Sequence, residues 1–289
     1  MGNPMFSIIV VALNAGDKLI QTVESIRRQS CHDLEVVVKD GGSSDGSVMA
    51  LKELKQQGLN DEREFWERVR IIEQPDKSIY EGMNQAAGYA EGKYLYFLNC
   101  GDYFYSDQAL EELKRSIVQY PAGAGQVPAG SKKSPAIFYG DIYDALRDNR
   151  VASNPHIDGF ACYRNVPCHQ ACVYDRVLFS ERGYEPKYRV RADYEHFLWC
   201  FYRKQAAMVY VPVILASYEG GGFSETAENR KKSAKEHAQI TALYMSKGEL
   251  LRYRMIMALT LAPLRTKMAE SQTMSGCYNR LKNFLYRRK

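Results

Sequence analysis

The chain has 289 residues, 45% of them hydrophobic and 25% charged, which is enough for one large α/β domain with an appendage. Its formal charge of +5 is unevenly placed: from residue 249 onward nine basic side chains face two acidic ones, a net +7, which leaves the preceding residues at −2 and argues against a basic nucleic-acid platform in the body of the chain. Seven scattered cysteines, an odd count, argue against a disulfide framework and fit reduced thiols in a cytoplasmic protein.

Residues 6–13 form an apolar strand-like run stopped by Asn14. It has no basic flank, so no secretory leader is expected. Residues 17–28 carry Leu19, Ile20, Val23 and Ile26 at helical spacing. A second strand, 34–38, opens into Lys39-Asp40-Gly41-Gly42-Ser43-Ser44-Asp45-Gly46, where Ser44 or Asp45 caps a helix bearing Val48, Leu51 and Leu54. A short strand at 69–72 precedes a helix that starts at Ser78 and ends near Ala90, before Gly92. The strand 94–98 ends in Asn99-Cys100-Gly101-Asp102. This alternation predicts an α/β fold: a mostly parallel, doubly wound, Rossmann-like sheet with helices on both faces.

A helix is expected over 107–120, then an exposed loop over 121–135, rich in Pro, Gly, Ala and Ser, then a strand over 136–143. Residues 150–186 are aromatic without a clear period and read as irregular. A helix over 192–203, a last strand over 208–213 and a glycine loop at Gly220-Gly221-Gly222 follow. Beyond Glu225 the pattern is helical, which divides the chain into 1–225 and a basic, amphipathic C-terminal helical region, 226–289. The apolar stretch 255–264, broken by Thr260 and Pro263, is too short to span a bilayer, but a basic amphipathic helix there can lie on an anionic membrane surface or pack on the domain.

Strands that deliver polar groups at their C-terminal ends build ligand sites in open α/β sheets. Asp40, directly after a β-branched run, can accept hydrogen bonds from a ribose or a base, and Gly41 and Gly42 let a ligand approach the backbone. It can also simply close a turn. Asp102 has the position and chemistry to ligate a hard divalent cation that clamps a diphosphate, or to cap the loop after its strand. Asp193, at the start of a helix, can act as a general base toward a hydroxyl or as an N-cap. Glu195 is the reserve base, although two residues on it points away from Asp193. Residues 76–84 place Asp76 in a polar loop and set Tyr80 and Asn84 on one helix face. Cys162, Cys168, His169 and Cys172 lack the usual zinc-knuckle spacing, and neither His156 nor His169 reads as catalytic.

These motifs, in this order, resemble family 2 glycosyltransferases with the GT-A fold. The matching pieces are Ser7-Ile8-Ile9-Val10 with Asn14, residues 38–46, and Ile79-Tyr80-Glu81-Gly82-Met83-Asn84. They continue with Gly92-Lys93-Tyr94 into Phe97-Leu98-Asn99-Cys100-Gly101-Asp102, then His169-Gln170, Ala192-Asp193-Tyr194-Glu195 and Gly221-Gly222-Phe223-Ser224. The resemblance implies an inverting enzyme that moves a sugar from a nucleotide-sugar donor, with UDP the expected carrier, to a hydroxyl of a glycan or lipid-linked glycan, as in bacterial surface polysaccharide assembly. It implies that Asn14, Asp40, Gly41, Asp76, Asn84 and Asp102 contact the donor, that Asp102 holds Mg²⁺ or Mn²⁺, that Asp193 is the base, and that Gly221, Gly222 and Ser224 lie in a loop at the acceptor or diphosphate. Three departures stand out. The family's Asp-x-Asp metal motif is reduced here to one carboxylate, Gly41 replaces a frequent second Asp, and Ser78 stands where glycine is common.

Readings from other classes are a sugar nucleotidyltransferase, a dinucleotide oxidoreductase, or a non-catalytic module that binds a glycan or a membrane. The oxidoreductase is disfavoured because Val11-Ala12-Leu13-Asn14-Ala15-Gly16 follows the first strand in place of G-x-G-x-x-G. The expected location is the cytoplasm, with peripheral contact at the membrane face and no nucleic acid partner.

Overall fold

The computed structural model describes residues 2–120, 134–218 and 226–259. Its strands are β1 (Phe6–Ala12), β2 (Leu34–Asp40), β3 (Val69–Glu73), β4 (Tyr94–Phe97), β5 (Tyr103–Phe104), β6 (Ala136–Asp144), β7 (Asn149–Val151), β8 (Cys172–Asp175) and β9 (Ala207–Tyr218). They form one sheet in the order β3-β2-β1-β4-β8-β6-β9-β5, with β7 paired to β6. The first four are parallel, as the alternating pattern predicts. β8 then runs antiparallel between β4 and β6, while β6 and β9 are parallel to each other across a register break after Tyr139.

Every residue of β1, β2 and β4 is buried. This is why these runs are mostly apolar rather than alternating, with Ser7, Glu35, Lys39 and Asp40 as buried polar exceptions: helices cover both faces of the sheet. Phe6, Ile8, Val10 and Ala12 face a core built with α1 (Asp17–Arg27), α2 (Ser47–Asp61), α3 (Arg63–Glu67) and α5 (Ala109–Gln119). Ile9 and Val11 face the other core. That side is built with α4 (Ile79–Tyr89), α6 (Gly159–Arg164), α7 (Arg176–Glu181), α8 (Ala192–Tyr202), α9 (Ala227–Tyr244) and α10 (Lys247–Leu259). Burying each of Ile8, Ile9 and Val10 stabilises the fold by about 1.5–3 kcal/mol relative to exposure. Ser78 caps α4 by accepting the Glu81 N–H (3.3 Å), as its sequence position predicts.

The stretch 150–186 is not irregular throughout. It contains the end of β7, α6, a 3₁₀ turn at His169–Ala171, β8 and α7. These elements are three to six residues long, too short to show a period, and β8 is held by partners on β4 and β6 rather than by its own pattern. The last strand is longer than expected, because β9 lies along the full length of β6. Ile240, Met245 and Tyr253 place the C-terminal helices against the α8 side of the core. Among the described residues no helix is long and apolar enough to cross a membrane.

Candidate active site

The carboxylate of Asp40 closes the loop that follows β2. Its Oδ2 accepts the Gly42 and Ser43 N–H groups (both 2.9 Å) and its Oδ1 accepts the Ser43 hydroxyl (2.5 Å). Asn14, at the tip of β1 with φ of 49°, donates its N–H to Ser43 Oγ (2.8 Å) and accepts the Ser44 N–H on Oδ1 (2.9 Å). The C-terminal ends of β1 and β2 therefore form one preorganised rim. Beneath it the fully buried Lys39 ammonium pairs with Asp76, whose side chain is 7% exposed. Gly41 makes room for that pair, since a Cβ there would sit 2.8 Å from Asp76 Oδ2.

Asp102 sits in the loop after β4, 7% exposed. Thr22 of α1 fixes the loop by accepting the Gly101 N–H and donating to the Asp102 carbonyl, both at 3.1 Å. Gln170 donates its amide to Asp102 Oδ2 at 3.0 Å. Burial pushes the neighbouring Cys100 thiol up to about 12, and the charges of Asp102 and Asp40 push it the same way.

Asp193 lies in the first turn of α8 with 27% of its side chain exposed. The Tyr80 hydroxyl of α4 sits 3.0 Å from Asp193 Oδ1 and 2.9 Å from the Val190 carbonyl. Burial, and then the Asp193 charge, raise that phenol well above its ordinary value, so it stays protonated and can only be a donor toward the carboxylate. His169 Nδ1 lies 3.8 Å from Asp193 Oδ2, and its Nε2 lies 2.9 Å from the Asn99 amide nitrogen. The adjacent residues His169 and Gln170 thus reach Asp193 with one side chain and Asp102 with the next. The dipeptide therefore links the loop of Asp102 to the first turn of α8 that carries Asp193.

Other candidates have different surroundings. Asn84 uses its amide on the backbone of Tyr184, accepting its N–H (2.7 Å) and donating to its carbonyl (2.8 Å), so it clamps a loop rather than presenting a free donor. Glu195 is 2% exposed, takes two bonds from Arg182 (3.1 and 2.7 Å) and one from the Tyr244 hydroxyl, and so stands inside the packing between α8 and α9. Gly221, Gly222 and Ser224 lie outside the described residues, as do most of the 121–135 loop and the chain beyond Leu259. His169, Gln170, Tyr80 and Thr22 are the contacts that reading residues by type undervalued. The His-Gln dipeptide was visible in sequence, but what it touches was not.

Among the described residues no group of three or more His, Cys, Asp or Glu side chains is placed to hold a metal, the Cys162–Cys172 set included. The donor set at Asp102 still fits a hard divalent cation that takes most of its ligands from a diphosphate and water. It offers one carboxylate and, nearby in the same loop, a buried Asn99 Oδ1 without a hydrogen-bond partner. A cavity of about 350 Å³ lined by Ile26, Arg27, Cys31, Leu34 and Phe65 lies at the opposite end of β2, away from these carboxylates.

A family model described as Glycosyl transferase family 2 matches residues 7–174. A PGL/p-HBAD biosynthesis glycosyltransferase of Mycobacterium bovis (strain BCG / Pasteur 1173P2) is 32% identical over 233 residues, 80% of this chain and 83% of that protein. The chondroitin synthase of Pasteurella multocida (strain Pm70) is 32% identical over 104 residues, 36% of this chain and 10% of the synthase. Among solved structures, residues 1–349 of Staphylococcus aureus TarS with UDP-GlcNAc superpose with a TM-score of 0.62 at 13% identity, covering 86% of this chain and 69% of that one. The mannosyltransferase PcManGT of Pyrobaculum calidifontis, in complex with GDP-Man and Mn²⁺, superposes with a TM-score of 0.55 at 14% identity, covering 98% and 87%. The fold is therefore of the GT-A type, and the chain belongs to glycosyl transferase family 2.

Proposed function

We propose that this glycosyltransferase moves a sugar from a nucleotide-sugar donor, with UDP the first carrier to test, to a hydroxyl of a glycan or lipid-linked glycan, with inversion at the anomeric carbon. Inversion is one in-line displacement, so it needs a base for the acceptor and a stabilised leaving group, not a covalent nucleophile. Asp193 is the base in this reading. The observation that carries it is the environment of that carboxylate: 27% exposed and touched by single groups at each oxygen, while Glu195 and Asp40 are saturated by their own neighbours. The rim of Asn14, Asp40, Gly41 and Asp76 would receive the nucleoside, and Asp102 would face the diphosphate.

Asp102, with Asn99 beside it, would hold the cation. Mg²⁺ or Mn²⁺ would neutralise charge on the departing nucleoside diphosphate. The Mn²⁺ in the PcManGT complex supports its use. The test is Asp193→Asn, which should lower transfer about 10²–10⁴-fold while donor affinity changes less than about threefold. Transfer at the unaltered rate would remove Asp193 as the base.

The same proposal places the enzyme at the cytoplasmic face of a membrane. α10 carries Leu251 (60% exposed), Met255 (53%) and Leu259 (84%) at four-residue spacing, and Arg252 and Arg254 are exposed beside them. Anionic vesicles of phosphatidylcholine and phosphatidylglycerol should sediment the protein, and Leu251→Asp with Met255→Asp should release it. Equal recovery of both forms in the supernatant would contradict the membrane assignment.

A further inference from the structure

We infer that Glu236, on α9, is a positioning residue for the base: it gathers the three backbone N–H groups that lead into α8 and so sets where Asp193 stands. This rests on the reading of Asp193 as the base. Glu236 Oε1 accepts the Arg189 N–H at 2.9 Å. Its Oε2 accepts the Val190 N–H at 3.0 Å and the Arg191 N–H at 2.9 Å. α9 lies past residues 7–174, the stretch that the family model matches.

A carboxylate at this place in α9 needs a reason. Lys231, Lys232 and Lys235 of the helix are exposed, whereas Glu236 (5% exposed) and Ile240 (0%) are buried one turn apart on its inner face. The inner face of an amphipathic helix ordinarily carries apolar side chains. A buried carboxylate is costly unless hydrogen bonds satisfy it, and here three N–H donors from another part of the chain do so.

The start of α8 is where those bonds are needed. Arg191 is the N-cap of α8, and its side chain makes no capping bond. In a capping box, the side chain three residues further on would accept the N-cap N–H. The residue in that place, Tyr194, sends its hydroxyl to the Cys162 carbonyl at 2.7 Å. Glu236 takes over the role from a neighbouring helix, and Arg191 Nε adds a bond to Ser233 Oγ of α9 at 2.7 Å. Val190 is held at both ends, by Glu236 at its N–H and by the Tyr80 hydroxyl at its carbonyl (2.9 Å). That same hydroxyl lies 3.0 Å from Asp193 Oδ1. α4 and α9 thus grip one turn from two sides, and Asp193 follows the anchored Arg191 by two helical residues. Misplacing a catalytic group by about 1 Å lowers rates by about 10²-fold.

The competing role is that Glu236 merely docks α9, as Tyr244 does through its hydroxyl on Glu195. Two substitutions on α9 separate the roles. Glu236→Gln keeps the volume but turns an amide N–H group toward N–H donors. Tyr244→Phe loosens the same helix and leaves the bonds to residues 189–191 in place. Nucleoside diphosphate release is measured with water as acceptor, using the faster of UDP-GlcNAc and GDP-Man. Each rate is divided by the concentration of UDP or GDP sites found by calorimetry, so that unfolded protein does not count. Glu236→Gln should lower the rate per site about 10²-fold with nucleotide affinity within about threefold. Tyr244→Phe should lower the melting temperature and keep the rate per site within about threefold. An unchanged rate per site in Glu236→Gln, or equal losses per site in the two variants, would overturn the positioning role.

The failure of the underlying reading is separable. If Asp193→Asn alone releases nucleotide at the full rate, the base assignment falls and this inference with it. If Asp193→Asn is inactive while Glu236→Gln is not slowed, only this inference falls. A readout that needs no turnover is a crystal structure of the full chain with Glu236→Gln. The Asp193 carboxylate is expected to part from the Tyr80 hydroxyl, and a contact kept at 3.0 Å would overturn the inference.

Discussion

Asp40, at the end of β2, and Asp193, in the first turn of α8, are both acidic groups of the proposed site, and their surroundings are opposite in kind. Asp40 is 2% exposed and accepts three hydrogen bonds from residues 42 and 43. Asp193 keeps 27% of its side chain exposed, with one phenol on one oxygen and an imidazole near the other. A group that shapes a receptor gains from being fixed before the ligand arrives. A group that must exchange a proton with a substrate has to leave an oxygen available. The contrast is sharper still within α8, where Asp193 and Glu195 are two residues apart and Glu195 is spent entirely on Arg182 and Tyr244.

The largest expected effect sets the two ends of the site against each other. Asp193→Asn should cost turnover and spare donor affinity, whereas Asp40→Asn should loosen the β2 rim, weaken nucleotide binding about tenfold and leave turnover at saturating donor nearly unchanged. Identical kinetic signatures for the two would break the comparison. The next effect concerns stability. Glu195→Ala strands the buried side of Arg182 and should lower unfolding free energy by about 3–5 kcal/mol in urea titrations, while Asp193→Ala, at a side chain 27% exposed and, among the described residues, paired with no lysine or arginine, should cost less than about 1 kcal/mol. A large loss from Asp193→Ala would mean that it too is structural.

The last effect is a pH dependence, read as a slope. Burial, and then the Arg182 charge, lower the His196 imidazole to about 3, in a pocket of Tyr174, Phe179, Tyr184 and Trp199. Below about 6.5 the unfolded chain takes up a proton that the folded chain refuses until about pH 3. The unfolded state binds more protons in that window, so stability rises with pH across it and falls on acidification, by at most about 1.4 kcal/mol per pH unit. His196→Phe, which suits the aromatic surroundings, should flatten the acid side of the stability profile. An unchanged slope would remove His196 as its source.

Strands β1, β2 and β4 were legible because burial on both faces leaves a mostly apolar run that needs no partner to be recognised, whereas in β3 only Val69 is buried. The places of Asp40, Asp102 and Asp193 in the fold were legible because each sits where an element begins or ends. β8 was not, since its four residues are defined by pairing with Tyr94–Tyr96 on one side and Ile137–Tyr139 on the other. His169 was set aside as a solitary histidine because its partners, Asn99 and Asp193, lie 70 and 24 positions away. The surroundings of Asn84 were hidden for the same reason: its amide bonds the backbone of Tyr184, 100 residues on. Residue type and local spacing report what a side chain is able to do, and long-range packing decides whether it is left free to do it.

The most direct test of the site is a crystal structure of the full chain with UDP and Mn²⁺. The expected result is the nucleoside on the rim of Asn14, Asp40 and Asp76, the diphosphate and metal against Asp102, and the Asp193 carboxylate facing the β-phosphate side of the same cleft. UDP bound elsewhere, for instance in the cavity lined by Ile26, Arg27 and Phe65 at the far end of β2, or Asp102 and Asp193 opening onto different cavities, would contradict it.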